Sequence, residues 1–194
     1  ELDKSVCDCC QTSIAMSKSD PIVVYRDRSS EEIRDIYSIR STEGVWQEPK
    51  PVHSDGWRVN GCPVNGPKIA VHSTKIAVAW FTVIDDHPLV NVAFSSSGRD
   101  TFDAPLRLSD KVATGRVDLT FLNANELLVS YMEIDNDDSY LRVKRVSIDG
   151  QVSDPFTISK IDGARSTGVP QLEVINNEIF VVWTTSTDGK QQLK

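Results

Sequence analysis

Three of the chain's four cysteines stand together near the start, as Cys7, Cys9 and Cys10 in "CDCC", and the fourth, Cys62, sits in "VNGCPVNGP". Thiols grouped this way can do two kinds of chemistry. In an oxidising compartment they close disulfides. As thiolates they hold a soft metal ion, with copper(I) and zinc the candidates. C-x-C-C lacks the C-x₂-C spacing usual for zinc, and His53 and His72 flank Cys62 without forming a ligand motif. Arginines form a second set: Arg26, Arg58, Arg116 and Arg165. A planar guanidinium pairs with a carboxylate through two parallel hydrogen bonds, so arginine is the residue for gripping an acidic ligand. Asp27, Asp35 and Asp118 are candidate acids. "YRD" and "IRD" set arginine beside aspartate, so internal pairing is the competing use.

The elements that must position these groups are strands. "PIVVYRD" (21–27), "KIAVAWFT" (75–82), "ELLVSYME" (126–133) and "EIFVVWTT" (178–185) are short, β-branched and aromatic, with polar or Gly/Pro-rich borders. One helix candidate, "SSEEIRDIY" (29–37), opens like a capping box, but "RDIYSIRS" alternates as a strand would. Aligned on their aromatics, Tyr25, Trp80, Tyr131 and Trp183 lie 55, 51 and 52 positions apart. Before the last three runs stand Gly-led strands, opening at Gly66, Gly115 and Gly168; the first unit has "CCQTSIAM" there. A third strand, a Gly turn and a short fourth strand follow.

A period near fifty with four strands per unit describes an all-β chain, a β-propeller of four-stranded antiparallel blades. The blades are expected near 9–53, 65–109, 114–159 and 167–194, the last cut in its third strand, giving about three and a half blades in one domain. A complete ring, of six blades, would need more chain or a second copy, because an open arc exposes apolar faces and strand edges. The aligned aromatics then fill the space between blades. The turns between third and fourth strands, "FSSSGRDTFDAP" (94–105), "VSIDGQVSDPF" (146–156), "TSTDGK" and "IRSTEGVWQEP", read Ser/Asp, Gly, then an aromatic, a degenerate Asp-box. A polar side chain ties such a hairpin, Gly takes positive φ and the aromatic plugs the blade.

With "CDCCQT", "VVYRDR", "EIRDI", "GCPVNGP", "VAWFT", "GRVDLTFL" and "RSTGVPQL", the whole chain resembles the sialidase-like, Asp-box (BNR) repeat β-propellers, in particular bacterial exo-α-sialidase-like members of the envelope or exterior. That resemblance implies a secreted, periplasmic or cell-surface location and a carbohydrate or protein ligand. A sialidase of that family grips a carboxylate with three arginines and uses a Tyr–Glu nucleophile and an Asp acid/base. Arg26 loosely matches the first arginine motif, without its flanking Pro. Tyr131 and Glu133 are two apart on one strand and make no convincing pair. The reading is therefore a binding propeller without a demonstrable catalytic set, with glycoside hydrolase as its competitor. Arg26, Asp27, Arg58, Asn65, Arg116 and Arg165 are the expected ligand residues at the channel mouth.

Propeller geometry also places Cys62 beside Cys9 or Cys10, because loops entering adjacent inner strands are neighbours. One disulfide of Cys62, with or without a second bond inside Cys7–Cys10, competes with a metal site of Cys7, Cys9, Cys10 and Cys62 and with free thiols. No other cofactor is expected. "DDHP" (85–88) and "EIDNDDSY" (133–140) read as solvated turns rather than calcium loops. A net charge of −7 argues against nucleic acid, and no run is apolar enough for a membrane helix. A homo-oligomer closing the ring is the remaining partner expected.

Overall fold

A computed structural model describes residues 1–17, 20–96, 99, 101–187 and 189–194. Strands dominate, in successive antiparallel sheets. The first sheet joins β1 (Ser13–Ser17), β2 (Asp20–Arg26) and β3 (Ile36–Thr42), with β4 (Val45–Trp46) and β5 (Lys50–His53) both pairing β3. The second runs in order through β6 (Lys68–His72), β7 (Lys75–Ile84), β8 (His87–Ser96) and β9 (Leu106–Arg107). The third has β10 (Val112–Asn123), β11 (Glu126–Asp135), β12 (Asp138–Ser147) and β13 (Phe156–Lys160). The last unit splits into two ladders: β14 (Gln171–Ile175) with β15 (Glu178–Val182), and β16 (Thr184–Thr187) with β17 (Lys190–Leu193). The first strands β1, β6, β10 and β14 contact one another in series, as blades around an axis require.

β7 shows why the sequence reads as unbroken apolar runs. Alternate side chains of a strand leave opposite faces. Ile76, Val78 and Trp80 pack toward the first blade, with Ile22, Val24 and Ile36. Ala77, Ala79 and Phe81 pack toward the third, with Leu119, Val129 and Tyr131. A strand buried on both faces has no polar face to alternate with. Trp80 and Tyr131 are fully buried, each against the preceding blade, and Trp183 packs the same way on Met132, Leu141 and Ile161. Tyr25 has the N-terminal segment in that place, and its hydroxyl donates to Asp3.

The acidic hairpins are two-residue turns. Asp85–Asp86 and Asn136–Asp137 all take positive φ, as does Asn176–Asn177 between β14 and β15. Such turns match strand twist, and Asn and Asp tolerate the left-handed region best among residues with a Cβ. The capping-box stretch forms no helix. Ser29 Oγ does accept the N–H groups of Glu31 and Ile33, at 3.2 and 3.1 Å, but Glu32 turns left-handed at φ 63° and Ile33 bridges to Arg58. At 147–151 the Ser147 hydroxyl accepts the Gln151 N–H at 3.0 Å and Gly150 takes φ 95°. The aromatics after these turns differ from expectation. Phe102 packs on the core, but Phe156 is 69% exposed and Trp46 38%. Phe156 borders a cleft of about 570 Å³ with Ile158, Ile179 and Val181.

Candidate functional site at the channel mouth

Each first strand starts at the same end, and the segment leading into one strand is stitched to the next. The Gln11 carboxamide oxygen accepts the Gly66 N–H at 2.8 Å. Gly66 packs so closely there that a Cβ would fall 1.8 Å from the Gln11 carbonyl oxygen, which is why only glycine fits. Asn65 then clasps the third blade, accepting the Arg116 N–H at 2.9 Å and donating to the Thr114 carbonyl at 3.1 Å. Gly115 takes φ 85° beneath that amide. Arg116 Nη2 donates to the Gly163 carbonyl at 3.2 Å, reaching the fourth unit. One layer deeper, Asp118 accepts the Leu172 N–H at 2.8 Å while Lys68 Nζ lies 3.6 Å from it. Burial pushes the Asp118 carboxyl above the usual range, against the pull of that N–H and of Lys68.

The six expected ligand residues divide on this frame. Arg26 is 1% exposed and spends its donors on backbone: Nε on the Asn65 carbonyl at 2.9 Å, Nη1 on Arg34 at 2.5 Å and Nη2 on Phe81 at 2.6 Å. Its guanidinium also lies 5.0 Å from the Trp57 ring. In this chain it binds the first two blades together. Asn65 is the clasp just described. Arg58 is exposed in an ion pair with Glu31 at 2.7 Å, a contact of little energy at a surface. Asp27 lies under the first blade's mouth, where burial and then the charges of Asp3 and Asp35 push its carboxyl up.

Arg116 and Arg165 differ from the rest. Arg116 sits at a bulge in β10 with φ 53°, half-buried, and among the described residues its guanidinium donates, beyond Gly163, to the Met132 sulfur, Nη1 at 3.9 Å. Burial lowers its pKa, Asp162 opposes that, and Arg165's charge adds to it. Arg165 is exposed in a short 3₁₀ turn, Arg165–Thr167, rather than in a strand. Thus Arg116 feels the charges of both Arg165 and Asp162 at the seam between the third and fourth units.

Carboxylates near the mouth are mostly committed. Asp35 accepts the Gly56 N–H at 2.9 Å. Asp55 Oδ2 accepts Trp80 Nε1 at 2.7 Å. Buried Glu133 lies 3.3 Å from Arg142 Nε. Tyr131 donates to the Leu108 carbonyl at 3.4 Å, and burial raises its phenol, which suits a core residue and not an activated nucleophile. Sequence reasoning passed over Arg34, Asp55, Trp57 and Asp162. "SDGWRV" around Asp55 and Trp57 offered a signal, an aromatic fixed by a turn; Arg34 and Asp162 offered none.

The cysteines resolve one way. Cys9 and Cys62 form a disulfide, tying the N-terminal segment to the loop that carries Asn65. Cys7 and Cys10 are free, so there is no second bond inside Cys7–Cys10. Cys7 is buried with its sulfur 3.7 Å from that of Cys9. Burial and then the Cys7 hydrogen bond push the Cys10 thiol up to about 12.

No family model matches this chain, and no curated protein does either. Solved structures do. A Hadza microbial sialidase superposes with a TM-score of 0.64 at 16% identity, over 94% of this chain and 43% of that one. An α-L-arabinofuranosidase from Lactobacillus brevis gives 0.56 at 10%, over 94% and 70%. A Trypanosoma rangeli sialidase in complex with sialic acid gives 0.54 at 8%, over 94% and 40%. These likenesses establish the β-propeller fold. The chain spans less than half the length of either sialidase.

Proposed function

We propose that this chain is part of a sialidase-like β-propeller, six-bladed when complete, that binds a carboxylate-bearing glycan at its channel mouth. Arg116 and Arg165 are the grip, and Asp162 is their neighbour. The observation that carries this reading is Arg116: half-buried, anchored by one nitrogen to Gly163, with its remaining donors held, among the described residues, by nothing stronger than a thioether. A guanidinium prepositioned this way loses little freedom on pairing with a carboxylate. Binding rather than turnover is favoured because Asp35, Asp55, Asp118 and Glu133 are already tied to protein donors. The disulfide supports export to the envelope or exterior. Among the described residues no helix is long and apolar enough to cross a membrane.

Glycoside hydrolysis is the second reading, supported by the sialidases and arabinofuranosidase that share the fold. Closure of the ring by a second copy is supported by the bare faces of the end blades, with Ile14 64% and Ile179 52% exposed. One set of measurements separates these. Calorimetry with a sialylated oligosaccharide and its neutral parent should show binding of the first only, weakened about tenfold or more in Arg116→Ala. Equal binding of both sugars, or of neither, rejects the grip. Release of fluorophore from a fluorogenic sialoside, lost in Arg116→Ala and Arg165→Ala with folding intact, would establish the hydrolase instead.

A further inference from the structure

We propose that, once the Cys9–Cys62 disulfide is reduced, the sulfurs of Cys7, Cys9 and Cys10, with Cys62 beside them, form a site for a soft monovalent cation, copper(I). The sulfurs of Cys7, Cys9 and Cys10 all lie within 4.8 Å of one another, and the Cys7–Cys9 pair stands at 3.7 Å. Thiolates held at about 2.3 Å from a shared ion stand roughly 4 Å apart, so the cluster needs little rearrangement to close on one. Cys62 is bonded to Cys9, at the edge of this cluster.

The surroundings fit the charge. Copper(I) on three thiolates carries a net charge of about −2. The buried guanidinium of Arg26 faces both Cys7 and Cys10 and offsets part of it. Access exists as well. A cavity of about 310 Å³, walled by Leu2, Val23, Tyr25 and Ile39, opens onto Cys7 and Cys10. Among the described residues only cysteines meet at this point, with no histidine or carboxylate. An all-sulfur cluster of three in four residues suits a soft ion of low coordination number better than tetrahedral zinc.

The chemistry balances with one co-reactant, a dithiol. It gives two electrons and two protons to the Cys9–Cys62 bond and itself becomes a disulfide. Copper(I) then displaces one proton from each thiol it binds. In the disulfide form two of the four sulfurs are spent on each other, so uptake is gated by the redox state.

The test uses the intact chain, reduced with a dithiol, desalted without oxygen and titrated with copper(I) held by bicinchoninate. The expected result is about one copper withdrawn per chain, with Cys7, Cys9 and Cys10 protected from alkylation in a peptide map, and none taken up by the oxidised chain. Cys7→Ser and Cys10→Ser should each weaken uptake by about tenfold or more. The protection map needs no variant, so it holds even if a substitution fails to fold. Failure to withdraw copper from the chelator overturns the site. So does equal uptake by the oxidised chain, or zinc binding with all four cysteines protected and no copper retained.

Discussion

The seam between the first two blades and the seam between the last two hold arginines that end up in opposite conditions. Arg26 is sealed, with three backbone carbonyls on its three nitrogens and a disulfide spanning the same junction. Arg116 rests on one carbonyl and a sulfur beside a second arginine. The apolar packing follows suit. Ile22, Val24, Ile36, Ile69, Ile76, Val78 and Trp80 close the first seam in one cluster, whereas the last is closed by two smaller ones, Leu128, Val143 and Leu172, and Met132, Leu141 and Ile161. A charge sealed among carbonyls stabilises a particular geometry; a charge left with spare donors is available to a ligand. Residue type alone does not separate the two uses.

Substitution should separate them. Arg26→Met removes the charge and leaves the carbonyls of Asn65, Arg34 and Phe81 buried and unpaired. Loss of one side of such an arrangement costs about 3–5 kcal/mol, so the urea midpoint should fall steeply or the protein should fail to fold. Arg116→Met should cost about 1 kcal/mol or less. Equal losses for the two would break the comparison.

The next effect in size belongs to the disulfide. Cys9 and Cys62 are 53 residues apart, and closing a loop of that length restricts the unfolded chain by about 4 kcal/mol in the chain-entropy account. Measured values usually fall short of that figure, so a loss of about 2–4 kcal/mol on reduction is expected, read from urea melts with and without a dithiol. The loss should appear chiefly as opening of the first seam, seen as faster amide exchange at Gly66 and Ile69, whose N–H groups Gln11 and Ser13 accept. Uniform acceleration that includes Leu172 would show instead that the seams melt together.

Much of the architecture was legible because propeller strands have a repeating signature. The spacing of Tyr25, Trp80, Tyr131 and Trp183 records that each blade must fill the gap to the one before it. The glycines Gly66 and Gly115 marked the close approaches at the mouth. The candidate site was half legible. Asn65 stands before β6 and Arg116 within β10, positions that a strand pattern marks, whereas Arg165 lies in a 3₁₀ turn that no strand pattern marks. The fate of Arg26 was not legible, because its partners are carbonyls of Asn65 and Phe81, 39 and 55 positions away, and a carbonyl has no sequence signature. Phe156 misled because the residue type after an Asp-box-like turn does not say which face it takes: it stands exposed at the rim of a cleft instead of plugging the blade.

The smallest expected effect tests the acidic side of the mouth, where Asp27 crowds Asp3 and Asp35 under the first blade. Burial first, and then those two charges, raise the Asp27 carboxyl above 3.8 in the folded protein, against the Arg28 N–H. The folded state therefore holds this proton more tightly than the unfolded chain. Its contribution to stability is greatest below 3.8 and declines as pH rises from there through the raised folded value, after which the loss is constant. Asp27→Asn removes the titration, so the variant should have a slightly higher urea midpoint than the parent at neutral pH, a gain that disappears in acid. Asp27 keeps solvent contact, so the gain is small, below that of either earlier change. A variant less stable than the parent at neutral pH would mean that the ionised carboxylate has a favourable partner. The first blade's mouth would then hold mixed charge, as the Arg116–Asp162–Arg165 group does at the far seam, and the contrast between the two sides would not hold.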